Sequence, residues 1–281
     1  MSQDSAIIRE TIVVARACRP EPGSPPGVSL LTFVSQNCGA TGFSTGLAHF
    51  QPNAYLPYHL HRFSEAVTVV EGMARIEVEG RAYRLHPRDC IHLPAGVAHL
   101  VQNCDVAKQL VAHWAFATAV PSRELVDSTF AVDERGDGMP AEGNPETVVR
   151  YENKSVYELS KDAFFIDLFA RRFGSVGICG GHGRFLPGAS LPCHIHDFDE
   201  SITIVSGRAA CLAEGKRYEL SDCDTAFIPK GIPHRFVNPS DGDMDMIWVY
   251  AGSEPDRRVV AAGYCSGEIV WPGAALARDE K

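Results

Sequence analysis

Apolar and polar residues alternate with a period of two along much of this chain. Ala74-Arg75-Ile76-Glu77-Val78 alternates, Glu79-Gly80 turns the chain, and Arg81-Ala82-Tyr83-Arg84-Leu85 alternates again. Successive side chains of a strand face opposite sides, so two such runs across a glycine turn predict a hairpin. Glu65 to Val70, Asp89 to Leu93, Ala98 to Gln102 and Leu110 to Ala117 add short strands, and no 3.6-residue apolar face interrupts them. The same order returns later in the chain. Ile202 to Val205 is followed by Ala210-Cys211-Leu212, a Glu214-Gly215 turn, Lys216 to Leu220, Asp224 to Ile228, His234 to Val237 and Met246 to Tyr250.

Breakers divide these runs. Pro20, Pro22, Gly23, Pro25, Pro26 and Gly27 follow an apolar arm at Ile12–Ala15. Residues 119–146 mix Pro, Gly and acids and read as a connection, with a short helix expected near Ser122–Asp127. The expected organisation is a first domain over 1–120, a linker over 121–146 and a second domain over 147–281. The apolar tail after Gly252 is expected to be free to lie across the other domain.

Composition narrows this. With 281 residues the chain is long enough for two cores, and 25 Gly with 18 Pro favour a turn-rich all-β architecture. A net charge of −9 with no basic stripe argues against nucleic acid as a partner. No apolar run approaches a membrane span, and Met1–Ser5 lacks the basic and apolar regions of a signal peptide. Nine cysteines, none in a C-x-x-C pair, are expected as free thiols, most of them buried, in a reducing cytoplasm.

Candidate chemistry sits on a repeated motif. His59, His61, Glu65 and His99 recur as His194, His196, Glu200 and His234, all displaced by 135 positions (194 − 59, 234 − 99). Gly72, Pro94, Gly96 and Asn103 recur as Gly207, Pro229, Gly231 and Asn238 at the same displacement. On a strand the two histidines of H-x-H share a face, and the Pro-x-Gly turn can swing the third histidine toward them. Three imidazoles and a carboxylate suit a divalent transition metal (Fe, Mn, Ni, Co or Zn), one per domain. Around the ligands the halves differ. Arg62 and Ser64 become Asp197 and Asp199, Tyr58 becomes Cys193, and His92 becomes Phe227. Asp197 and Asp199 are candidate bases or substrate anchors, and His92 is a candidate acid/base of the first half. Cys193 is expected as a structural thiol, and Trp114 and Trp248 as core.

These motifs resemble those of the cupin superfamily, and the whole chain resembles a bicupin. The resemblance covers about 45–117 and 180–252. It implies two tandem jelly-roll (double-stranded β-helix) barrels with short connecting helices at most, and it carries the metal-ligand role onto the eight residues above. The family's first motif opens with glycine, where this chain has Asn53 and Gly188; its second opens with glycine, where this chain has Arg88 and Cys223. Similar bicupin oxygenases let the substrate chelate the metal before oxygen reacts. The leading functional expectation is therefore a dioxygenase acting on a small aromatic, enol or diketone-like molecule. The alternatives are a non-oxidative isomerase, lyase or hydrolase on a sugar- or acid-like substrate, or a metal-holding binding protein. Partners are expected to be a small-molecule substrate and a second copy in a homodimer, with no membrane.

Overall fold

The computed structural model describes residues 9–272. Its strands form four sheets, two to each barrel. In the first barrel one sheet runs Thr147–Val149, Cys90–Leu93, Glu65–Glu71, Leu110–Phe116, Ser44–Phe50 and Val28–Val34. It faces a sheet running Glu124–Leu125, Tyr55–Leu60, His99–Asn103, Ala74–Val78, Arg81–Leu85 and Asp133–Gly136. The second barrel repeats this with Thr11–Val13, Thr225–Ile228, Glu200–Ser206, Met244–Tyr250, Cys179–Phe185, Ala163–Phe169 and Tyr157–Ser160 in one sheet. Its other sheet runs Lys216–Ser221, Arg208–Ala213, His234–Val237, His194–Ile195 and Arg258–Val259. Among the described residues the one α-helix is Ala262–Ser266, beside a few 3-10 turns. The expected pair of all-β barrels is what the chain forms.

Strand alternation fills three apolar layers. Val67 and Val69 enter the first barrel's interior, while Ala66 faces the second barrel. Ile202 and Ile204 enter the second interior, while Phe227 and Ile247 face the first barrel. One sheet of each barrel is thus covered on both sides, and Leu110–Phe116 is buried at every position. A strand buried on both faces needs no polar alternate, which is why that run is apolar at every position but His113.

The barrels exchange their leading strands. Thr11–Val13 pairs with Thr225–Phe227 of the second barrel, and Thr147–Val149 pairs with Cys90–His92 of the first. Thr11–Val13 therefore completes the later barrel and Thr147–Val149 the earlier one. The segment expected as linker also joins the first barrel. Glu124 and Leu125 pair with Leu60 and His59, and Val126 N–H donates to Tyr58 O. The helix expected near Ser122–Asp127 is absent because this open strand edge supplies those partners instead.

Among the described residues the tail packs on its own barrel rather than crossing to the other domain. Val259 and Arg258 pair with His194 and Ile195, and Cys265 on the terminal helix is disulfide-linked to Cys193. This corrects the reading of nine free thiols: seven remain free. Strand alternation does turn Cys193 away from the metal ligands, and that outward position places it against Cys265.

The four motif-opening positions keep a glycine-like backbone. Asn53, Arg88, Gly188 and Cys223 have φ of 62°, 75°, 76° and 69°. A left-handed conformation costs a non-glycine residue roughly 1–2 kcal/mol. At Arg88 and Cys223 the turn is held by N–H bonds to Val69 O at 2.7 Å and Ile204 O at 2.8 Å. The turn persists although the residue type does not.

Candidate metal centres and their cavities

Each tetrad is assembled by strand register. His59 lies opposite His99, and His194 lies opposite His234, on neighbouring antiparallel strands. Glu65 and Glu200 open the strands of the facing sheets. All eight side chains are buried, and within each group the ligand atoms lie within 4.8 Å of one another.

Backbone carbonyls set the tautomers. His59 Nδ1 donates to Pro57 O at 2.8 Å, His99 Nδ1 to Val97 O at 3.1 Å, and His61 Nδ1 to Ser122 O at 2.5 Å. In the second barrel His194 Nδ1 donates to Pro192 O at 2.8 Å, His234 Nδ1 to Ile232 O at 2.9 Å, and His196 Nδ1 to Asp256 O. A carbonyl can only accept, so Nδ1 carries the proton and Nε2 is a bare lone pair aimed inward.

Those lone pairs meet a carboxylate. Glu65 Oε2 lies 3.3 Å from His61 Nε2 and 2.9 Å from His99 Nε2. Glu200 Oε2 lies 3.4 Å from His196 Nε2 and 2.6 Å from His234 Nε2. The six atoms are buried without a conventional hydrogen bond. Acceptors this close repel unless a cation or proton lies between them, and three imidazoles with one carboxylate suit a divalent transition metal. The charges fit that reading. Burial and then the neighbouring His99 push His59 down to about 3. Burial opposes ionisation of Glu65, but protons on His61 and His99 outweigh it and hold its carboxyl well below the usual range, and a metal cation supplies the same positive charge when Nε2 is bare. The donor sets fit one divalent metal per barrel.

A cavity opens on each tetrad, of about 220 Å³ in the first barrel and 460 Å³ in the second. Trp114 lines the first and Trp248 the second. Each tryptophan fits only because a glycine faces it. A Cβ on Gly46 would lie 2.4 Å from Trp114, and one on Gly181 would lie 2.7 Å from Trp248. The two tryptophans are thus both core, as expected, and cavity wall.

The three expected catalytic side chains lie elsewhere. His92 shares a strand with Ile91 and Leu93, which enter the barrel, and alternation turns it to the inter-barrel side with Cys90. Asp199 is consumed by structure: it accepts from Thr41 N at 2.8 Å, Thr41 Oγ1 at 2.9 Å and Lys230 N at 2.9 Å, clamping one barrel to the other. Its counterpart Ser64 accepts from Val176 N at 3.4 Å in the reciprocal contact. Asp197 is solvent-exposed and lines neither cavity.

Two arginines that do line the cavities escaped the sequence reading. After its last long strand each barrel sends a strap over its own mouth, Pro121-Ser122-Arg123 in one and Pro255-Asp256-Arg257 in the other. The straps supply the carbonyls of Ser122 and Asp256 that orient His61 and His196. Their repeat is offset by 134 (255 − 121, 257 − 123) rather than 135. The missing residue lies in the loop after the motif asparagine, whose Nδ2 reaches Lys108 O from Asn103 but Gly242 O from Asn238. Pro-x-Arg-x-x-Val, repeated once that slip is allowed, was the signal available.

Comparison with known proteins agrees with this geometry. The cupin domain family matches residues 46–116 and 181–250, together half of the chain. The chain belongs to the cupin family. It is a bicupin, with one cupin domain in each barrel. A protein of Streptomyces cyaneus named polyketide synthase CurC is 30% identical over 111 residues, 38% of this bicupin and 72% of that protein. Among solved structures, a formate complex of Lactobacillus farciminis oxalate decarboxylase superposes with a TM-score of 0.73 at 15% identity, covering 89% of this chain and 88% of that one. A Bacillus subtilis oxalate decarboxylase structure at pH 4.6 gives 0.71 at 14% identity, covering 89% of this chain and 78% of that one. A study of Mn(II) centres in the Bacillus subtilis enzyme gives the same score and identity, covering 89% and 79%. At such identities the structural likeness speaks for the fold.

Proposed function

We propose that this bicupin is a metal-dependent enzyme acting on a small carboxylate, with His59, His61, Glu65 and His99 holding one metal and His194, His196, Glu200 and His234 the other. One observation carries the substrate class. Each tetrad shares its cavity with a strap arginine, Arg123 or Arg257, that forms no ion pair among the described residues. A guanidinium beside a metal site pairs a carboxylate in a bidentate fashion. A divalent metal held there supplies Lewis-acid polarisation of a chelating carboxylate or carbonyl oxygen. The protein's own part is to fix the imidazole tautomers, cover the mouth with the strap and orient the anion through the arginine. The oxalate decarboxylases of the same fold support a non-oxidative reaction on an acid over the expected dioxygenase.

A dioxygenase remains the second reading, favoured by the first cavity alone. Its walls include Leu30, Phe50, Val67 and Phe116, which suit an aromatic or enol substrate. Oxygen uptake by the iron-loaded protein with enols and catechols tests it.

Calorimetric titration of the metal-loaded protein with pyruvate and with oxalate tests the main reading. Wild type should bind the anion at both barrels. Arg123→Met and Arg257→Met should each weaken one site about 10–100-fold, the loss of a charge-assisted pair. Unchanged binding in both variants would contradict the proposal.

A further inference from the structure

The second cavity holds a carboxylate that the metal chemistry above does not use. Asp167 lies on Ala163–Phe169 on the same face as Ala163 and Phe165, which enter the barrel interior. Only 4% of its side chain is exposed, and it lines the cavity together with His194 and Glu200. Tyr157 hydroxyl donates to Asp167 Oδ1 at 2.5 Å, and Arg172 donates to Oδ2 at 2.5 Å. An ionised acid on an interior face is costly unless it is paired, and functional sites are where such groups are retained.

The first barrel has no copy of this arrangement. At the displacement of 135 (167 − 32), Asp167 becomes Thr32, Tyr157 becomes Pro22 and Arg172 becomes Asn37. The carboxylate nearest that place is Glu21, which accepts from the Thr32 hydroxyl and has no guanidinium beside it. Phe116 in the first cavity is matched by Tyr250 in the second, and the second cavity is the larger.

We propose that the second barrel is the proton-transfer site of the bicupin: Asp167 is the general base, and its substrate is an enolisable carboxylate such as a 2-oxo acid. This rests on the carboxylate reading above. Arg257 pairs the substrate carboxylate, and the proton on the carbon next to the carbonyl passes to Asp167 Oδ1, the oxygen not held by the guanidinium. The C–H electron pair becomes the C=C π bond, and the carbonyl π pair moves onto oxygen. Returning the proton from Asp167 restores the acid, so no oxidant or reductant is needed. Arg172 and Tyr157 hold the carboxylate in one orientation.

Pyruvate in heavy water is the probe. Methyl-proton exchange is followed by NMR, and pyruvate affinity is measured in parallel by calorimetry. Wild type should exchange the methyl protons. Asp167→Asn should lower the exchange rate at least 100-fold while affinity stays within threefold, and Tyr157→Phe, which leaves the base in place, should lower it about tenfold. Glu21→Gln, in the first barrel, should leave the exchange rate unchanged. Bound pyruvate with unaltered exchange in Asp167→Asn overturns the role of Asp167 and leaves the carboxylate reading standing. Failure of wild type to bind pyruvate overturns both.

Discussion

The two barrels carry the same metal tetrad on the same register, aimed by equivalent carbonyls, yet the cavity walls beyond the tetrads differ. The first cavity is small, with Phe116 beside His61; the second is twice as large, with Tyr250 beside His196 and the Asp167 carboxylate on its wall. The first strap is held by backbone pairing, the His61–Ser122 bond and the exposed Arg62–Glu124 ion pair, whereas the second continues into a helix linked to the barrel by Cys193–Cys265. The lesson is that duplication preserved the ligands and the turns that aim them, while the two walls were free to diverge. Differences in side chains next to the ligands in sequence were a poor guide to that divergence. Strand alternation sends Asp199 and His92 to the inter-barrel face, and the groups that reach the cavities come from Ala163–Phe169 and from the straps.

The comparison can be pushed until it breaks. The largest effect is expected where the barrels are alike. Gly46→Ala places a Cβ 1.9 Å from Leu31 O, and Gly181→Ala places one 2.1 Å from Ile166 O. Either variant should lose more than about 4 kcal/mol or fail to fold, as read from urea denaturation. A mild effect in one barrel would show that its tryptophan wall is not held as its twin is.

Acid should act on each barrel through a different histidine, His113 in the first and His182, pushed down to about 4 chiefly by burial, in the second. His113 is buried and burial alone pushes it down to about 3 from its ordinary 6.5, while the matching residue of the second barrel is Ile247. The folded state keeps this imidazole neutral and the unfolded state protonates it. Its contribution is therefore fully present above pH 6.5 and is lost as pH falls toward 3, by an amount on the order of 4 kcal/mol. His113→Ile should flatten the fall in urea midpoint between those pH values. An unchanged slope would rule His113 out as its source.

The straps should differ by less. Cys193→Ser opens a cross-link spanning 72 residues and should cost about 3–4 kcal/mol, the upper range for the entropy of a loop that long. Thiol alkylation of the unfolded, unreduced wild type should modify seven cysteines; nine would deny the bond. In the first barrel Tyr58, the counterpart of Cys193, donates to Glu77 Oε2 at 2.9 Å and accepts from Gly80 N–H at 3.1 Å. Tyr58→Phe should cost only about 1 kcal/mol by thermal denaturation, the worth of ordinary hydrogen bonds. Equal losses at the two positions would erase the proposed difference in strap anchoring.

Much of this was legible from residues alone. The H-x-H alternation, the glutamate an even step beyond and the Pro-x-Gly turn before the third histidine fixed both tetrads, because a strand's geometry is rigid enough to be read from spacing. The reciprocal exchange of Thr11–Val13 and Thr147–Val149 was not legible, since a three-residue apolar strand carries no label for its partner. The strap arginines were hidden by the one-residue slip after Asn238. The Cys193–Cys265 bond was hidden because pairing depends on where the tail docks, and the tail has no counterpart in the repeat. Asp167 was passed over because one acid inside an apolar strand, Phe164-Phe165-Ile166-Asp167-Leu168-Phe169, belongs to no repeated motif.

Two independent metal sites underlie every role assigned to the barrels. Elemental analysis of purified wild type, His59→Ala and His194→Ala tests this directly. Two equivalents of divalent metal per chain in the wild type, and one in each variant with the fold intact by circular dichroism, is the predicted result. One equivalent or fewer in the wild type after loading, or loss of both metals from either single variant, would contradict it.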